Sequence, residues 1–204
     1  MNKPAIQRTI VSLLGLVLLA GCFAASPQVS YYSLYAPAQR PAPAAASGTT
    51  GDSLAVSVGP VTIPDILKQT RIATGGADGR YRLAEYHRWS GELDRDLARA
   101  VAEQLSGRLG TEQVAIFPWD QNFTASCRVF IDVLNMGGEP EKEATLSVRW
   151  ALVDPQGKRP PAIRRSELRE TPAETGYHGW VAAQQKNIAK LAGEMAALVK
   201  VPPQ

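Results

Sequence analysis

The sequence has few of the residues on which most catalytic sites depend. It contains two histidines, His87 and His178, and two cysteines, Cys22 and Cys127. Two isolated histidines without a cysteine pair do not match the usual zinc patterns. The sequence also has neither a phosphate-binding loop nor a G-x-S-x-G nucleophile motif. It therefore predicts no metal site, no cofactor and no enzymatic activity.

An excess of positive charge is also missing once the N-terminal segment is set aside. The whole chain has 22 lysines and arginines against 19 aspartates and glutamates. Removal of residues 1–21, which carry Lys3 and Arg8, leaves 20 basic residues against the same 19 acidic ones. A nucleic-acid binder would show a basic excess or stripe, so we expect no nucleic-acid partner.

No apolar run is long enough to cross a bilayer, which takes a helix of roughly 20 residues. The longest run, residues 10–20, follows a basic start and ends in small residues, which is typical of an export signal over residues 1–21. The exit, Leu19-Ala20-Gly21-Cys22, resembles the bacterial lipobox, whose cysteine is lipidated and becomes the first residue of the mature protein. The alternative is an ordinary signal peptide that carries a cysteine by chance.

Cys22 is the predicted lipidation site, and residues 22–30 are the predicted tether. Each buried CH₂ of an acyl chain such as palmitate contributes about 0.8 kcal/mol, so two or more chains anchor a protein stably. In enterobacterial lipoproteins an aspartate after the cysteine signals retention at the inner membrane. Because Phe23 stands there instead, the sequence favours the outer membrane, with the domain facing the periplasm.

The remaining cysteine, Cys127, lies in a segment with the alternation of a strand. Cys127, Val129, Ile131 and Val133 alternate with Ser126, Arg128, Phe130 and Asp132. A catalytic thiol needs a basic partner, and nothing in the sequence places a histidine beside it. We therefore predict that Cys127 is a small residue of the core.

The sequence predicts strands and turns for the first half of the domain. Residues 31–35 have strand character, and residues 36–53, rich in Pro, Ala, Gly and Ser, are predicted to form a flexible loop. A second strand starts near residue 54, and Pro60 and Pro64 are expected to end its pairing. Residues 70–74 and 79–89 flank a Gly-rich turn and predict a hairpin.

Two helices are predicted, each with one apolar stripe. The first spans 92–109, with Ser90 as its N-cap and Gly110 as its stop. Its stripe is Leu93, Leu97, Val101, Leu105 and Leu109. The second spans 177–199, with the apolar residues Trp180, Val181, Ile188, Leu191, Met195 and Leu198.

Further strands are predicted at 113–118, 125–136, 144–153 and 162–170, with a turn at 137–143. Since strands and helices do not alternate regularly, a doubly wound sheet is not expected. The expected fold is a single α+β domain over residues 31–200, with two helices on one face of a largely antiparallel, mixed sheet.

The segment "AEYHRWSGELD" (84–94) places aromatic and basic residues directly before the first helix. On alternation, Tyr86 and Arg88 share one side of a strand, and His87 and Trp89 share the other. In one interpretation Trp89 covers the core and Arg88 pairs with Glu92. In the other the segment is a binding surface, because Tyr, Trp and Arg carry much of the energy at protein interfaces.

Four stretches together resemble one known family, the ABC-type transport auxiliary lipoproteins of the PqiC/YmbA type. They are "VGPVTIPDIL" (58–67), "RLAEYHRWSGELDRDLARAVAEQL" (82–105), "PWD" (118–120) and "GYHGWVAAQQKNIAKLAGEMA" (176–196). The resemblance covers the chain from Tyr31 to about Val199. Where the family often has Trp-Ala-Glu-Pro-Leu, this chain has Trp89-Ser90-Gly91-Glu92-Leu93, which leaves the residue that caps the helix open.

The resemblance implies a non-catalytic role that the residues alone do not give. Such lipoproteins are outer-membrane partners of MCE-type lipid-transport systems and dock the periplasm-spanning tunnel. The implied partners are a periplasmic MCE tunnel protein, its inner-membrane component and further copies of the chain in a ring. By analogy Cys22 anchors the protein, while Tyr86, Arg88 and Trp89 serve structure or docking. The alternatives are a lipid-binding shuttle and an envelope-stabilising structural lipoprotein.

Overall fold

The computed structural model describes residues 27–35, 54–76, 78–120 and 122–200. The predicted signal peptide, Cys22 and the predicted loop at 36–53 lie outside the described residues. The boundaries of the signal peptide and tether therefore stay predictions.

The described residues form eight strands, two α-helices and one short 3₁₀ helix, Asp65–Lys68. The strands are β1 (Ser30–Tyr32), β2 (Val56–Thr62), β3 (Arg71–Gly75), β4 (Tyr81–Trp89), β5 (Val114–Ile116), β6 (Cys127–Glu139), β7 (Glu143–Val153) and β8 (Ala162–Glu170). The helices are α1 (Leu93–Leu109) and α2 (Gly176–Lys200).

All eight strands belong to one mixed sheet built around β6. On one side β6 pairs with β7, and β8 follows β7. On its other side the first part of β6 pairs with β2 and its end pairs with β3, beyond which lie β4 and β1. The pairs β1–β4, β2–β5 and β2–β6 are parallel, and the other pairs are antiparallel. The structure confirms the predicted α+β fold with a largely antiparallel, mixed sheet.

The core lies between the sheet and the two helices, which also pack on each other. Alternate residues of β7 are buried, as the period of a strand requires: Ala144, Leu146, Val148, Trp150 and Leu152. The predicted stripe of α1 is buried from Leu93 to Leu105, and Leu109 packs partly buried against the core. On α2 all the predicted apolar residues but the half-buried Leu198 are buried.

The prediction that Pro60 ends the second strand is wrong. The pairing of β2 with β6 shifts register between Val58 and Val61 and then resumes. Gly59 adopts a φ of +110° in this bulge, a conformation that favours glycine. A proline has no N–H to donate, but a bulged residue makes no ladder bond, so Pro60 fits without breaking the strand.

Ser90 is not the N-cap of the first helix, contrary to prediction. The helix begins at Leu93, with Glu92 in the N-cap position and no side-chain capping bond. The backbone N–H of Ser90 instead donates to the carbonyl of Tyr32 at 2.8 Å. Ser90 therefore extends the pairing of β1 with β4, and the chain needs two more residues to turn into the helix.

A polar cluster inside the core joins α2 to the hairpin of β6 and β7. Trp180 Nε1 and Gln184 Nε2 both donate to the carbonyl of Gly137, each at 3.2 Å. Asn187 Nδ2 donates to the carbonyl of Ala144 at 3.0 Å. Gln184 and Asn187 are fully buried, so each bond offsets the cost of removing a polar group from water.

Gly137 allows β3 to approach β6 at this cluster. A Cβ built there would lie 2.0 Å from the carbonyl oxygen of Gly75, which is a clash with backbone. We expect Gly137→Ala to lower the free energy of unfolding by about 3 kcal/mol or more, because neither strand can move without losing its ladder. Urea unfolding followed by circular dichroism measures this.

Gly193→Ala is the matched control for that substitution. Gly193 lies within α2, and a Cβ added to it would lie 3.5 Å from Arg108 Nη1, an ordinary contact. Alanine there should raise the free energy of unfolding by about 0.5–1 kcal/mol through helix propensity. Similar effects at the two glycines would contradict the close packing of β3 on β6.

Candidate functional site at the N-terminal edge of the sheet

The chain enters the fold through β1, at one end of the sheet. β1 lies parallel to β4, with Ser30 opposite His87, Tyr31 opposite Arg88 and Tyr32 opposite Trp89. The predicted docking segment thus pairs directly with the first described strand. The sheet places Tyr86, Arg88 and Trp89 beside the point where the predicted tether meets the domain.

The residues after β1 are fixed by a carboxylate of α1. Ser33 Oγ donates to Asp96 Oδ1 at 2.8 Å, and the backbone N–H of Leu34 donates to Asp96 Oδ2 at 2.5 Å. Gln185 Nε2 of α2 donates to the carbonyl of Ser33 at 3.0 Å. Leu34 itself is only 2% exposed. The N-terminal segment is therefore joined to both helices as well as to the sheet.

The inner side of this edge is aromatic. The Tyr32 hydroxyl lies 3.0 Å from His87 Nδ1, and the His87 ring stacks on Tyr177 of α2 with centroids 4.2 Å apart. Trp89 is 4% exposed and lies against the fully buried Trp180, with ring centroids 6.3 Å apart. Partial burial lowers the pKa of His87 below its ordinary value.

The three predicted docking residues occupy different environments. Trp89 lies in the core, as the first interpretation of the segment expected. Tyr86 is half-buried, and its hydroxyl donates to Glu85 Oε1 at 2.9 Å. Arg88 is half-buried, and it does not pair with Glu92, which binds Arg95 at 2.9 Å instead.

The outer side of the edge carries a row of three residues in register. Tyr31 of β1 lies opposite Arg88 of β4, and Arg88 lies opposite Arg71 of β3. Register partners point to the same face of a sheet. Tyr31 is 65% exposed, and Arg71 is also exposed. This row was not predicted, because the bulge in β3–β4 pairing that sets it cannot be read from alternation.

Cys127 packs against the core, as predicted, but it is half-buried and not buried. It lines a largely apolar cavity of about 280 Å³ between the starts of β6 and β8 and the end of α2, with Leu54, Leu152 and Leu198 among the other walls. Burial raises the pKa of the Cys127 thiol. A raised pKa is the opposite of what a nucleophilic thiolate requires.

A larger cleft of about 870 Å³ lies between the β3–β4 turn and the β6–β7 turn. Its walls include charges of both signs, among them Arg80, Arg82, Glu141 and Lys142. Among the residues that the structure describes, no group of His, Cys, Asp or Glu is arranged to hold a metal ion. Neither described helix has the length and hydropathy needed to cross a bilayer.

Comparison with protein-family models identifies the family of the chain. The model of the ABC-type transport auxiliary lipoprotein component matches residues 32–196, nearly the whole described domain. The chain belongs to this family. Its members are lipoproteins of the PqiC/YmbA type, so the family implies membrane anchoring and a role beside a transport system. No curated protein matches the sequence.

Solved structures share the fold at low sequence identity. An uncharacterized protein of known crystal structure is 19% identical, covers 85% of this chain and 100% of its own, and gives a TM-score of 0.66. A protein from Xanthomonas campestris is 16% identical, covers 72% of this chain and 83% of its own, and gives 0.59. PelC from Paraburkholderia phytofirmans, a dodecamer, is 16% identical over 74% of this chain and 93% of its own, but its TM-score of 0.39 carries no argument.

Replacement of Asp96 should loosen the N-terminal segment. Asp96→Ala removes charge-assisted hydrogen bonds to Ser33 and to the Leu34 amide, so we expect a loss of about 2–4 kcal/mol in the free energy of unfolding. Asp94→Ala is the control, since it removes a carboxylate from the same first helical turn and costs only about 0.3–1 kcal/mol. Urea unfolding separates the two, and equal losses would contradict the role of Asp96.

The free energy of unfolding should fall as the pH drops below about 6.5, the ordinary pKa of histidine. Burial lowers the pKa of His87 in the folded state, so between its two pKa values the unfolded chain binds more protons and is favoured. His87→Gln should reduce this slope, and His178→Gln, at an exposed surface position, should not. Urea unfolding over a pH series tests this, and an unchanged slope in His87→Gln would refute it.

Proposed function

We propose that the protein is a non-catalytic lipoprotein of the outer membrane that docks the periplasmic tunnel of an MCE-type lipid-transport system. The observation that carries the proposal is the incorporation of the chain into the fold at Ser30, only eight residues after Cys22. The family match and this short separation together support a domain that is held close to a membrane beside a transport system.

The anchor is the lipidated Cys22, and the tether is short. Eight residues span at most ~26 Å when fully extended. Because β1 and residues 33–34 are bonded to β4, α1 and α2, no further length is released without breaking the fold. The start of β1 stays within that distance of the lipid headgroups, so the domain meets the end of a tunnel rather than its middle.

The docking surface lies along β4. Tyr86 and Arg88 contact the partner, and Trp89 supports them from the core, where it packs against Trp180. The partners are the MCE tunnel protein and, through it, the inner-membrane component. Several copies of the chain form a ring around the tunnel exit, since a ring of identical subunits suits a tunnel with rotational symmetry.

The described cavities favour docking over a lipid shuttle. A pocket that carries a ligand usually has a volume of about 300–1,000 Å³ and largely apolar walls. The apolar cavity beside Cys127 measures about 280 Å³, and the cleft of about 870 Å³ is lined by charges of both signs. Neither suits a whole lipid with two acyl chains.

The side chains that could do chemistry are occupied in other ways. His87 lies between Tyr32 and Tyr177. His178 is exposed and 4.0 Å from Glu174. The pKa of the Cys127 thiol is raised by burial. These environments support a role in binding and positioning.

Two variants test the proposal in cells. Cys22→Ser, placed behind an export signal that is cleaved without lipidation, should fold normally but move from the membrane fraction to the soluble fraction and fail to restore transport in a deletion strain. A photoreactive residue in place of Tyr86 should form an adduct with the MCE tunnel protein in the lipidated chain and lose that adduct in Cys22→Ser. Fractionation, complementation and mass spectrometry of the adducts measure the outcomes.

The control position is Ile163, which is 62% exposed on β8 at the other end of the sheet. A photoreactive residue there should not trap the tunnel protein. Full complementation by soluble Cys22→Ser would contradict the anchoring proposal. An MCE adduct from position 163 with none from position 86 would contradict the docking surface.

A further inference from the structure

Arg71 and Arg88 face each other across β3 and β4 at close range. They are register partners in an antiparallel pair. The backbone N–H of Trp89 donates to the carbonyl of Thr70 at 2.8 Å, directly beside the pair. Arg71 and Arg88 are therefore a non-hydrogen-bonded pair, the type in which opposed side chains come closest. Like charges in this arrangement destabilise a sheet.

Neither guanidinium is neutralised within the described part of the chain. Three other arginines of the sheet have carboxylate partners: Arg149 binds Asp132 at 3.3 Å, Arg165 binds Glu167 at 2.6 Å and Arg169 binds Glu143 at 3.1 Å. Arg82, Arg128 and Arg164 have no described carboxylate partner, but none of them lies opposite a second arginine. No described carboxylate lies within ion-pair distance of Arg71 or Arg88. The pair keeps two positive charges together with no internal anion, as a site for an external anion would.

Tyr31 completes the site from the neighbouring strand. It lies opposite Arg88 on β1 and is 65% exposed. A tyrosine has an apolar ring and a polar hydroxyl, and such residues are favoured where an apolar phase meets water. Two arginines beside an exposed tyrosine match the chemistry of a membrane surface, in which phosphate groups lie above acyl chains.

The row of Tyr31, Arg88 and Arg71 lies close in the chain to the proposed anchor, which indicates that the anion is a phospholipid phosphate. Tyr31 lies one residue into β1, and β1 begins eight residues after Cys22, at most ~26 Å of extended chain. The lipid attached to Cys22 therefore brings phospholipid headgroups within reach of this edge. Guanidinium groups bind phosphate through paired hydrogen bonds and keep their charge at any physiological pH.

We propose that Tyr31, Arg88 and Arg71 form a contact site for the phosphate groups of anionic phospholipids. The site turns the β1 edge of the domain toward the membrane and leaves β8, at the other end of the sheet, farthest from it. Arg88 also belongs to the proposed docking surface along β4, so the partner meets the domain beside the headgroups. The inference rests on the proposed anchoring by Cys22, which supplies the nearby membrane.

The test uses the chain from residue 22 onward with Cys22→Ser, so that no acyl chain contributes to binding. Its binding is measured by co-sedimentation with vesicles of phosphatidylcholine that contain phosphatidylglycerol, and with vesicles of phosphatidylcholine alone. We expect binding to the anionic vesicles only. Since each arginine near an anionic surface contributes about 1 kcal/mol, Arg71→Gln or Arg88→Gln should lower the partition coefficient roughly fivefold. The double variant should lower it roughly 25-fold.

Arg165→Gln is the matched control, because it removes the same charge from an exposed position on β8. It should leave the partition coefficient unchanged. The double variant should resist urea at least as well as the parent, since it relieves a like-charge contact. Urea unfolding of the double variant therefore shows whether a loss of binding comes from unfolding. Equal losses in Arg165→Gln and the double variant, or no binding to anionic vesicles by the parent, would overturn the site.

A second measurement separates the membrane from a protein partner. A photoreactive residue in place of Tyr31, in the lipidated chain in cells, should form adducts with phospholipid. An adduct with a protein in place of lipid would overturn the lipid assignment. Neither of these two outcomes would change the fractionation result, in which the lipidated chain is found with the membrane and Cys22→Ser is not. Failure of this site can therefore be told apart from failure of the anchoring proposal.

Discussion

The carboxylate of Asp96 binds the N-terminal segment into the domain, and the placement of the proposed docking and membrane-contact surfaces depends on these hydrogen bonds. It accepts from the Ser33 hydroxyl and from the Leu34 amide, while Leu34 fills a buried position between the helices. Hydrogen bonds to a charged group contribute about 1.5–3 kcal/mol each. The proposed anchor at Cys22 would pull on this segment, and β1 alone, three residues long, would be a weak attachment.

Once β1 is fixed, the two sides of β4 acquire different roles. His87 and Trp89 face α2, where they pack against Tyr177 and Trp180. Arg88 lies in the outer row with Tyr31. The aromatic contacts on the inner side fix β4 against α2, and they thereby also fix the position of the outer row. The structural interpretation of this segment therefore holds for the inner side of the strand, and the proposed docking uses the outer side.

Much of the fold could be predicted because the residues buried in a helix or a strand recur in the sequence with a fixed period. The leucine stripe of α1 and the alternation of β6 and β7 follow from which residues must leave water. The failures arose where backbone geometry or register decides. Pro60 lies in a bulge, Ser90 is used by the pairing of β1, and Cys127 lies at a cavity wall. The Arg71–Arg88 contact depends on a register shift that leaves no pattern in the sequence.

The proposed position of the domain near its membrane requires that the N-terminal segment is part of the fold, and hydrogen exchange of the Leu34 amide tests this most directly. The amide donates to Asp96 and belongs to a buried residue, so it should exchange only when the domain opens. In the mature chain we predict protection of Leu34 comparable to that of the ladder amides of β4. Exchange of Leu34 at the rate of an unstructured peptide, with β4 still protected, would show a longer free tether and contradict the account.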